Sequence, residues 1–286
     1  MRIAVVGAGG QLGAAVVHEC GTAHETIPFT RHQLDVSDAA AVTAAMDRVR
    51  PEVIVNGAAF TNVEAAEDRP IEALDSNAFA VCAMARAARR HRATLVHYST
   101  DFVFDGRATS PYTEDDPPNP RSVYAISKLL GEWFALDAPR AFVLRVESLF
   151  GRTPNGPAAK GSVAVILDSL KAGGSPKVFA DRTISPTYLA DAARATRQIV
   201  EMDVGSAPPG VYHCVSSGSC TWLEFAQELA RQLGIEATIT PVRMADVPLR
   251  AQRPQYCALS NAKLQSVGIS MPIWQDALAR YLTSAK

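Results

Sequence analysis

A run of four apolar residues, Ile3-Ala4-Val5-Val6, leads into Gly7-Ala8-Gly9-Gly10-Gln11-Leu12-Gly13, after which a helical pattern continues to about Cys20. The glycines at 7, 10 and 13 give a Gly-x-x-Gly-x-x-Gly spacing. Gly7 permits the tight turn from strand to helix, Gly10 lets a pyrophosphate approach the backbone, and Gly13 lets the helix pack closely on the sheet. Free amides at the helix N-terminus then face the phosphates. Glycine turns after strands are common, so the spacing alone is weak. Its place after an apolar strand and inside a βαβ unit makes it a dinucleotide cradle. Gly7, Gly10, Gln11 and Leu12 are the cofactor-facing residues expected there.

The rest of the first 150 residues repeats this rhythm. Short strands are expected at Thr26–Phe29, Val53–Val55, Thr94–Tyr98 and Phe142–Val146. Helices are expected from Asp38 to Arg48 behind a Ser37 cap, from Ala73 to His91, and from Val123 to Ala135. Apolar runs without alternation, separated by helices, indicate parallel strands buried on both faces. The fold class is therefore α/β, a doubly wound parallel sheet of the Rossmann type, with sites at the carboxyl ends of its strands. Past Gly151 the rhythm changes. Arg152 to Pro157 is a proline-containing loop, and helices are expected at Ser162–Lys171, Tyr188–Glu201, from a Thr221 cap to Gly234, and at Ile273–Leu282, with short strands at Lys177–Phe179 and Gly210–Cys214. We read 1–150 as the dinucleotide-binding domain. Residues 151–286 are mainly a smaller substrate domain, with some segments returning to the main sheet.

Composition narrows the function. With 28 Lys plus Arg against 29 Asp plus Glu, the net charge is −1. No field draws the chain to nucleic acid or to an anionic membrane. No apolar run reaches the roughly 18 residues of a membrane span, and the N-terminal apolar stretch is too short for a signal peptide. The five cysteines form no Cys-x-x-Cys pair, which suits free thiols in a reducing cytosol. The six histidines show no zinc spacing and no Gly-x-Ser-x-Gly elbow occurs, so neither a metal site nor a hydrolase is expected. A cytoplasmic location follows. The tract Glu114-Asp115-Asp116-Pro117-Pro118 reads as a solvated loop over the approach to Tyr124.

Three features carry chemistry. The second strand ends in Phe29-Thr30-Arg31-His32, with no acid before Asp35. A basic residue there accommodates the 2′-phosphate of NADP, whereas an acid would favour NAD. Arg31 is thus the expected 2′-phosphate ligand and NADPH the expected cofactor, with NADH left open. Asp35 and Val36 lie where the adenine would rest. The third strand ends in Asn56-Gly57-Ala58-Ala59, where Ala58 and Ala59 leave room for the nicotinamide ribose. Tyr124 and Lys128 stand four apart, on one face of a helix, and Thr100 ends the fourth strand. When hydride reaches a carbonyl carbon, negative charge develops on its oxygen. A phenol of ordinary acidity is poorly matched at neutral pH, and a nearby ammonium lowers its pKa. Tyr124 is the expected proton donor, Lys128 its tuner and a ribose ligand, and Thr100 a polarising hydrogen-bond donor.

Taken in order, Gly10-Gln11-Leu12-Gly13, Asn56-Gly57-Ala58-Ala59-Phe60-Thr61 with Val63 and Glu67, Tyr98-Ser99-Thr100-Asp101-Phe102-Val103-Phe104-Asp105-Gly106, Tyr124-Ala125-Ile126-Ser127-Lys128 with Gly131-Glu132, Ser185-Pro186-Thr187, Gly210-Val211-Tyr212-His213 and Arg253-Pro254 resemble the extended short-chain dehydrogenase/reductases, and within them the dTDP-4-dehydrorhamnose reductase family. The resemblance implies NAD(P)H-dependent reduction of the 4-keto group of a dTDP-linked 4-keto-6-deoxyhexose. It implies Thr61, Val63, Thr100, Asp101, Phe102, Tyr124 and Ser148 as sugar-facing residues. It leaves a homodimer open. Arg253 is either a bidentate donor to the substrate pyrophosphate or an ordinary ion pair. The chain departs from the family at Phe102, where tyrosine is usual, and at Glu147-Ser148, where a Ser-Trp pair is usual. A lost hydrogen-bond donor changes specificity sharply. Two alternatives follow from these departures: another nucleotide-linked ketosugar as substrate, or an NADP-loaded regulatory subunit without turnover, as the methionine adenosyltransferase beta subunit is. A nucleotide-sugar epimerase or dehydratase of the same superfamily is a third alternative.

Overall fold

The computed structural model describes residues 1–154 and 156–284; Asn155, within the proline-containing loop expected from the sequence, lies outside them. The chain begins with β1 (Arg2–Val6), α1 (Gln11–Cys20), β2 (Glu25–Phe29), α2 (Ala39–Val49), β3 (Val53–Asn56), α3 (Val63–Asp68), α4 (Pro70–Leu74), α5 (Ala80–His91), β4 (Thr94–Thr100), α6 (Val123–Leu136) and β5 (Ala141–Val146). It continues with β6 (Leu149–Phe150), α7 (Ser162–Lys171), β7 (Lys177–Phe179), β8 (Thr183–Ile184), β9 (Thr187–Tyr188), α8 (Leu189–Glu201), β10 (Gly210–His213), β11 (Cys220–Thr221), α9 (Trp222–Leu233), β12 (Thr240–Val242), α10 (Ala262–Ser266) and α11 (Trp274–Ser284). The main sheet has six strands in the order β10-β5-β4-β3-β1-β2. All its pairings are parallel.

Both faces of this sheet are covered, and the strand sequences show why. Ile3 and Val5 point into one core with α1 and α8, while Ala4 and Val6 point into the other with α2 and α5. Along β5, Phe142 and Leu144 join the first core and Val143 the second. Successive side chains alternate between faces, so a strand buried on both must be apolar throughout. A third core lies in the C-terminal half, where Phe150, Ile166, Phe225, Trp274 and Tyr281 pack together. From that half β10 returns to pair with β5, placing His213 beside Arg145.

Two local details differ from the sequence reading. Asp38, not Ser37, caps α2: its carboxylate accepts from the amides of Ala40 and Ala41 at 2.9 and 3.0 Å. Ser37 instead donates to Asp35. The helix expected from Ala73 begins at Pro70 and is interrupted by a π-helical turn at Asp75–Phe79. That turn aims Asn77 inward. Its side chain accepts from the Phe60 amide at 2.8 Å and donates to the Phe60 carbonyl at 3.1 Å and to Ser127 Oγ at 2.9 Å. The irregularity thus ties the segment after β3 to α6, a usual setting for such turns.

Candidate active site

β1 has β2 on one side and β3 on the other. The order in which strands are added reverses here, and the crevice beyond the strand ends at this point is the usual binding place in such sheets. Gly7 turns the chain there with φ 81°, and a Cβ on it would stand 2.5 Å from the Ala58 amide nitrogen. A Cβ on Gly13 would strike the Gly7 carbonyl. α1 starts behind Gly10 without a side-chain cap, so its first-turn amides remain available to an anion.

Two cavities meet over this turn. One, of about 630 Å³, is lined by Gly7, Gly10, Arg31, Asp35, Val36, Ala58 and Ala59, among others. The other, of about 360 Å³, is lined by Gly10, Gln11, Leu12, Ala59, Thr61, Tyr124 and Lys128. They share Gly9, Gly10, Gly57 and Ala59, and so form one cleft from the end of β2 to α6. Its glycine floor and the Arg31 at its far end suit a dinucleotide. Every expected cofactor residue lines it. Sequence reasoning missed His32, Arg69, Glu72 and Lys160 on its walls. Arg69 and Glu72 come from the irregular helical stretch, and no local pattern marked them.

At the α6 end the expected catalytic residues come together. Ser122 caps α6 by accepting from the Ala125 amide. Tyr124 and Lys128 follow on its inner face, one turn apart. The phenol of Tyr124 lies beside Thr100 at the end of β4. Phe102 stands edge-on against the Tyr124 ring, with centroids 5.5 Å apart.

One expectation needs correction. The phenol is not acidified by Lys128 in this structure. Burial and the neighbouring Asp101 charge push its pKa up, and only Thr100 pulls it down. The reason is where the ammonium points: Lys128 Nζ donates to the Tyr98 carbonyl at 2.6 Å and lies 3.5 Å from His97 Nε2. Burial pushes Lys128 down to about 8. Burial, with the Lys128 charge adding to it, keeps His97 neutral.

The expected sugar-facing residues spread more widely. Thr61 lines the cleft, and Val63 opens α3 beside it. Asp101 does not face the cleft. It is buried behind Thr100 and accepts from the Thr100 hydroxyl at 2.8 Å. Ser148 has φ 43° and turns its hydroxyl to Glu147 at 3.4 Å. Arg253 is ion-paired with Glu64 of α3 at 2.7 Å. Behind Asp101 stand two residues that sequence reasoning did not place in the site, Glu147 and Arg182. Arg182 lies 3.7 Å from Asp101 and over the Phe102 ring at 5.4 Å. Oxygens of Asp101 and Glu147 and the sulfur of Cys257 fall within 4.8 Å of one another. The Arg182 guanidinium, 3.5 Å from that sulfur, already supplies the positive charge among them. Glu114 accepts from the His213 amide at 2.7 Å, so its loop is anchored to β10. All five cysteines are free. No helix among the described residues is long and apolar enough to cross a membrane.

A family model described as the RmlD substrate binding domain matches residues 1–286. The chain belongs to the RmlD substrate binding domain family. Relatives match along nearly their whole lengths. A spore coat polysaccharide biosynthesis protein of Bacillus subtilis is 33% identical, with 98% of this chain and 96% of the relative covered. A probable dTDP-4,6-dihydroxy-2-methyloxan-3-one 4-ketoreductase of Streptomyces antibioticus is 36% identical, with 97% and 93% covered. Among solved structures, a dTDP-4-dehydrorhamnose reductase from Bacillus anthracis in complex with NADP superposes with a TM-score of 0.91 at 30% identity, covering 99% of each chain. The doubly wound sheet is therefore that of the RmlD family.

Proposed function

We infer that this protein is an NADPH-dependent oxidoreductase that reduces the 4-keto group of a dTDP-linked 4-keto-6-deoxyhexose in deoxysugar biosynthesis. The observation that carries the reading is the pairing of Tyr124 and Lys128 at the end of a glycine-floored cleft whose other end holds Arg31, with Thr100 beside the Tyr124 phenol. When bound, the cofactor supplies hydride. Gly7, Gly10, Gln11 and Leu12 hold its phosphates, Arg31 its 2′-phosphate, Asp35 and Val36 its adenine side, and Ala58, Ala59 and Lys128 its ribose beside Tyr124. As charge grows on the ketone oxygen, Tyr124 gives it the phenolic proton. Thr100 shares the oxygen. A phenol pushed up by burial keeps its proton until that oxygen becomes basic enough to take it.

Thr61, Val63, Phe102, Ser148 and Arg253 are proposed to line the sugar nucleotide, with Asp101 acting through Thr100. Arg253 would exchange its Glu64 partner for the pyrophosphate. On this reading residues 1–150 hold the cofactor and 151–286 supply most of the substrate wall. The protein works in the cytoplasm as a homodimer. Exposed Phe79, Ile126 and Trp133, on the π-helical turn and α6, support that association. Trp133→Glu is expected to yield a monomer in sedimentation; an unchanged sedimentation coefficient rejects that face.

The reaction is tested by following NADPH consumption with dTDP-4-keto-6-deoxyhexoses. Tyr124→Phe should lose about 10²- to 10⁴-fold in kcat while still binding NADPH. Equal turnover by variant and wild type removes Tyr124 as the acid. Tight NADPH binding without turnover by the wild type on any ketosugar would favour a regulatory subunit.

A further inference from the structure

Next to Thr100, Asp101, Glu147 and Arg182 are 3%, 2% and 6% exposed. Two carboxyl groups thus share one guanidinium in a space closed to water. Asp101 Oδ2 has no hydrogen-bond partner. Glu147 is better provided: Oε2 accepts from the Ser185 amide at 2.5 Å, and the Ser148 hydroxyl lies 3.4 Å from Oε1. The other titratable groups facing the pair are Tyr124, Cys220 and Cys257. None of them brings a second positive charge. Two carboxylates against one cation would leave an excess negative charge in the interior. Such a charge is removed by retaining a proton. Burial raises both carboxyls, Glu147 well above its ordinary range with the Asp101 charge adding to it, while Arg182 opposes the rise in each.

The shared proton bears on catalysis through Thr100. Its hydroxyl is 2.8 Å from Asp101 Oδ1. An ionised Asp101 accepts that hydroxyl's proton in a hydrogen bond and leaves only a lone pair toward the cleft. A protonated Asp101 reverses the bond. The carboxyl O–H donates to Thr100 Oγ1, and the Thr100 proton turns toward the cleft. No covalent bond to hydrogen need change partners; only the direction of donation does. Burial pushes Glu147 up further than Asp101, yet Glu147 Oε2 already accepts from the Ser185 amide. The hydrogen bonds therefore assign the ionised state to Glu147 and the proton to Asp101, whose Oδ2 has no partner.

We propose that Asp101 and Glu147 share one proton beside Arg182, and that this proton makes Thr100 a hydrogen-bond donor to the ketone oxygen. Glu147 is then a positioning residue for the reduction, acting through Asp101 and Thr100. The role in turnover rests on the reductase reading; the shared proton does not.

The experiment therefore has two readouts. Infrared spectra of the wild type at neutral pH should show a protonated-carboxyl band that disappears in Glu147→Gln and in Asp101→Asn. A wild type without the band, or a band that survives both substitutions, overturns the shared proton whatever the substrate proves to be. In turnover, Glu147→Gln leaves Asp101 ionised and Thr100 turned away. Its kcat should fall on the order of 100-fold, as for loss of one oxyanion donor, with KM within about threefold. Asp101→Asn, whose amide can donate to Thr100, should lose less than Glu147→Gln. In a Thr100→Val background Glu147→Gln should cost nothing further. Additive losses, or an undiminished kcat in Glu147→Gln, overturn the positioning role. Should Glu147→Gln not fold, the wild-type band and its fate in Asp101→Asn still decide. A wild type that reduces no ketosugar refutes the reductase reading, and the infrared result remains decisive for the proton.

Discussion

Gly131 lies in the middle of α6, between Lys128 and the helix end, and faces the π-helical turn. Intrinsic propensity argues for replacing it: Gly→Ala inside a helix gains about 1 kcal/mol. The packing argues the other way. A Cβ at this position would fall well inside 3.0 Å of the Asn77 backbone carbonyl, with His97 Nε2 at 3.2 Å on its other side. Neither neighbour can yield cheaply. Asn77 is held by its bonds to Phe60 and Ser127, and His97 is buried and bonded to Asn56 at 3.1 Å. α6 must therefore retreat, on the order of 1 Å. Overpacking of this kind costs about 3 kcal/mol at the upper end, which outweighs the propensity gain and leaves a net loss of about 2 kcal/mol. For a chain of this size that lowers Tm by roughly 5 °C. The same retreat displaces Tyr124 and Lys128 from Thr100, and a misplacement of about 1 Å can cost 10²-fold in rate. Thermal unfolding and kcat should thus fall together in Gly131→Ala. Binding of 2′-phospho-ADP-ribose, which needs only the Arg31 end of the cleft, should stay near wild type. A Tm at or above wild type with kcat within twofold would refute the packing argument and leave propensity the winner.

Three further outcomes are expected. Arg31→Ala should weaken NADPH about tenfold, equivalent to about 1.4 kcal/mol for a lost exposed phosphate contact, and leave NADH unchanged in direct titration; equal effects on both would exclude the 2′-phosphate role. Lys128 is pushed down to about 8 from 10.5 by burial, so the fold pays about 3 kcal/mol at neutral pH to keep it charged. That cost is present in full below pH 8 and fades as pH rises toward 10.5, so denaturant titrations should show Lys128→Met more stable than wild type at pH 7, with the gap closing at pH 10, while reduction is lost; a constant gap would contradict the linkage. Arg253→Ala should raise KM for the sugar nucleotide and spare NADPH binding, whereas an unchanged KM would leave Arg253 only as the partner of Glu64.

Legibility from sequence followed the range of the interaction. The glycine turn, the doubly buried strands and the Tyr124–Lys128 spacing are local, set by φ, by strand alternation or by helical repeat. They were readable for that reason. Where two adjacent residues can both cap a helix, as Ser37 and Asp38 can, composition does not choose between them, and the tertiary run of α2 does. The π-helical turn depends on Asn77 meeting Phe60 and Ser127, contacts spanning 17 and 50 residues. The direction of Lys128 Nζ depends on the Tyr98 carbonyl, 30 residues away. Glu147 departs from the family pattern, but its meaning depends on Arg182, which nothing near it in sequence announces. Burial of Asp101 was likewise invisible, because an acid after a strand more often meets water.

The last strand of the main sheet comes late. β5 is complete at Val146, yet its outer edge is covered only by β10, which ends at His213. During synthesis the cofactor-binding half must therefore wait with an unpaired hydrogen-bonding edge while more than 60 further residues are made. At synthesis speeds of about 5–20 residues per second, that interval lasts several seconds. A ribosome-released fragment ending near residue 150 would keep that edge bare, and bare edges recruit other chains. Growth of the nascent polypeptide, rather than the glycine turn at its beginning, decides when this sheet becomes safe.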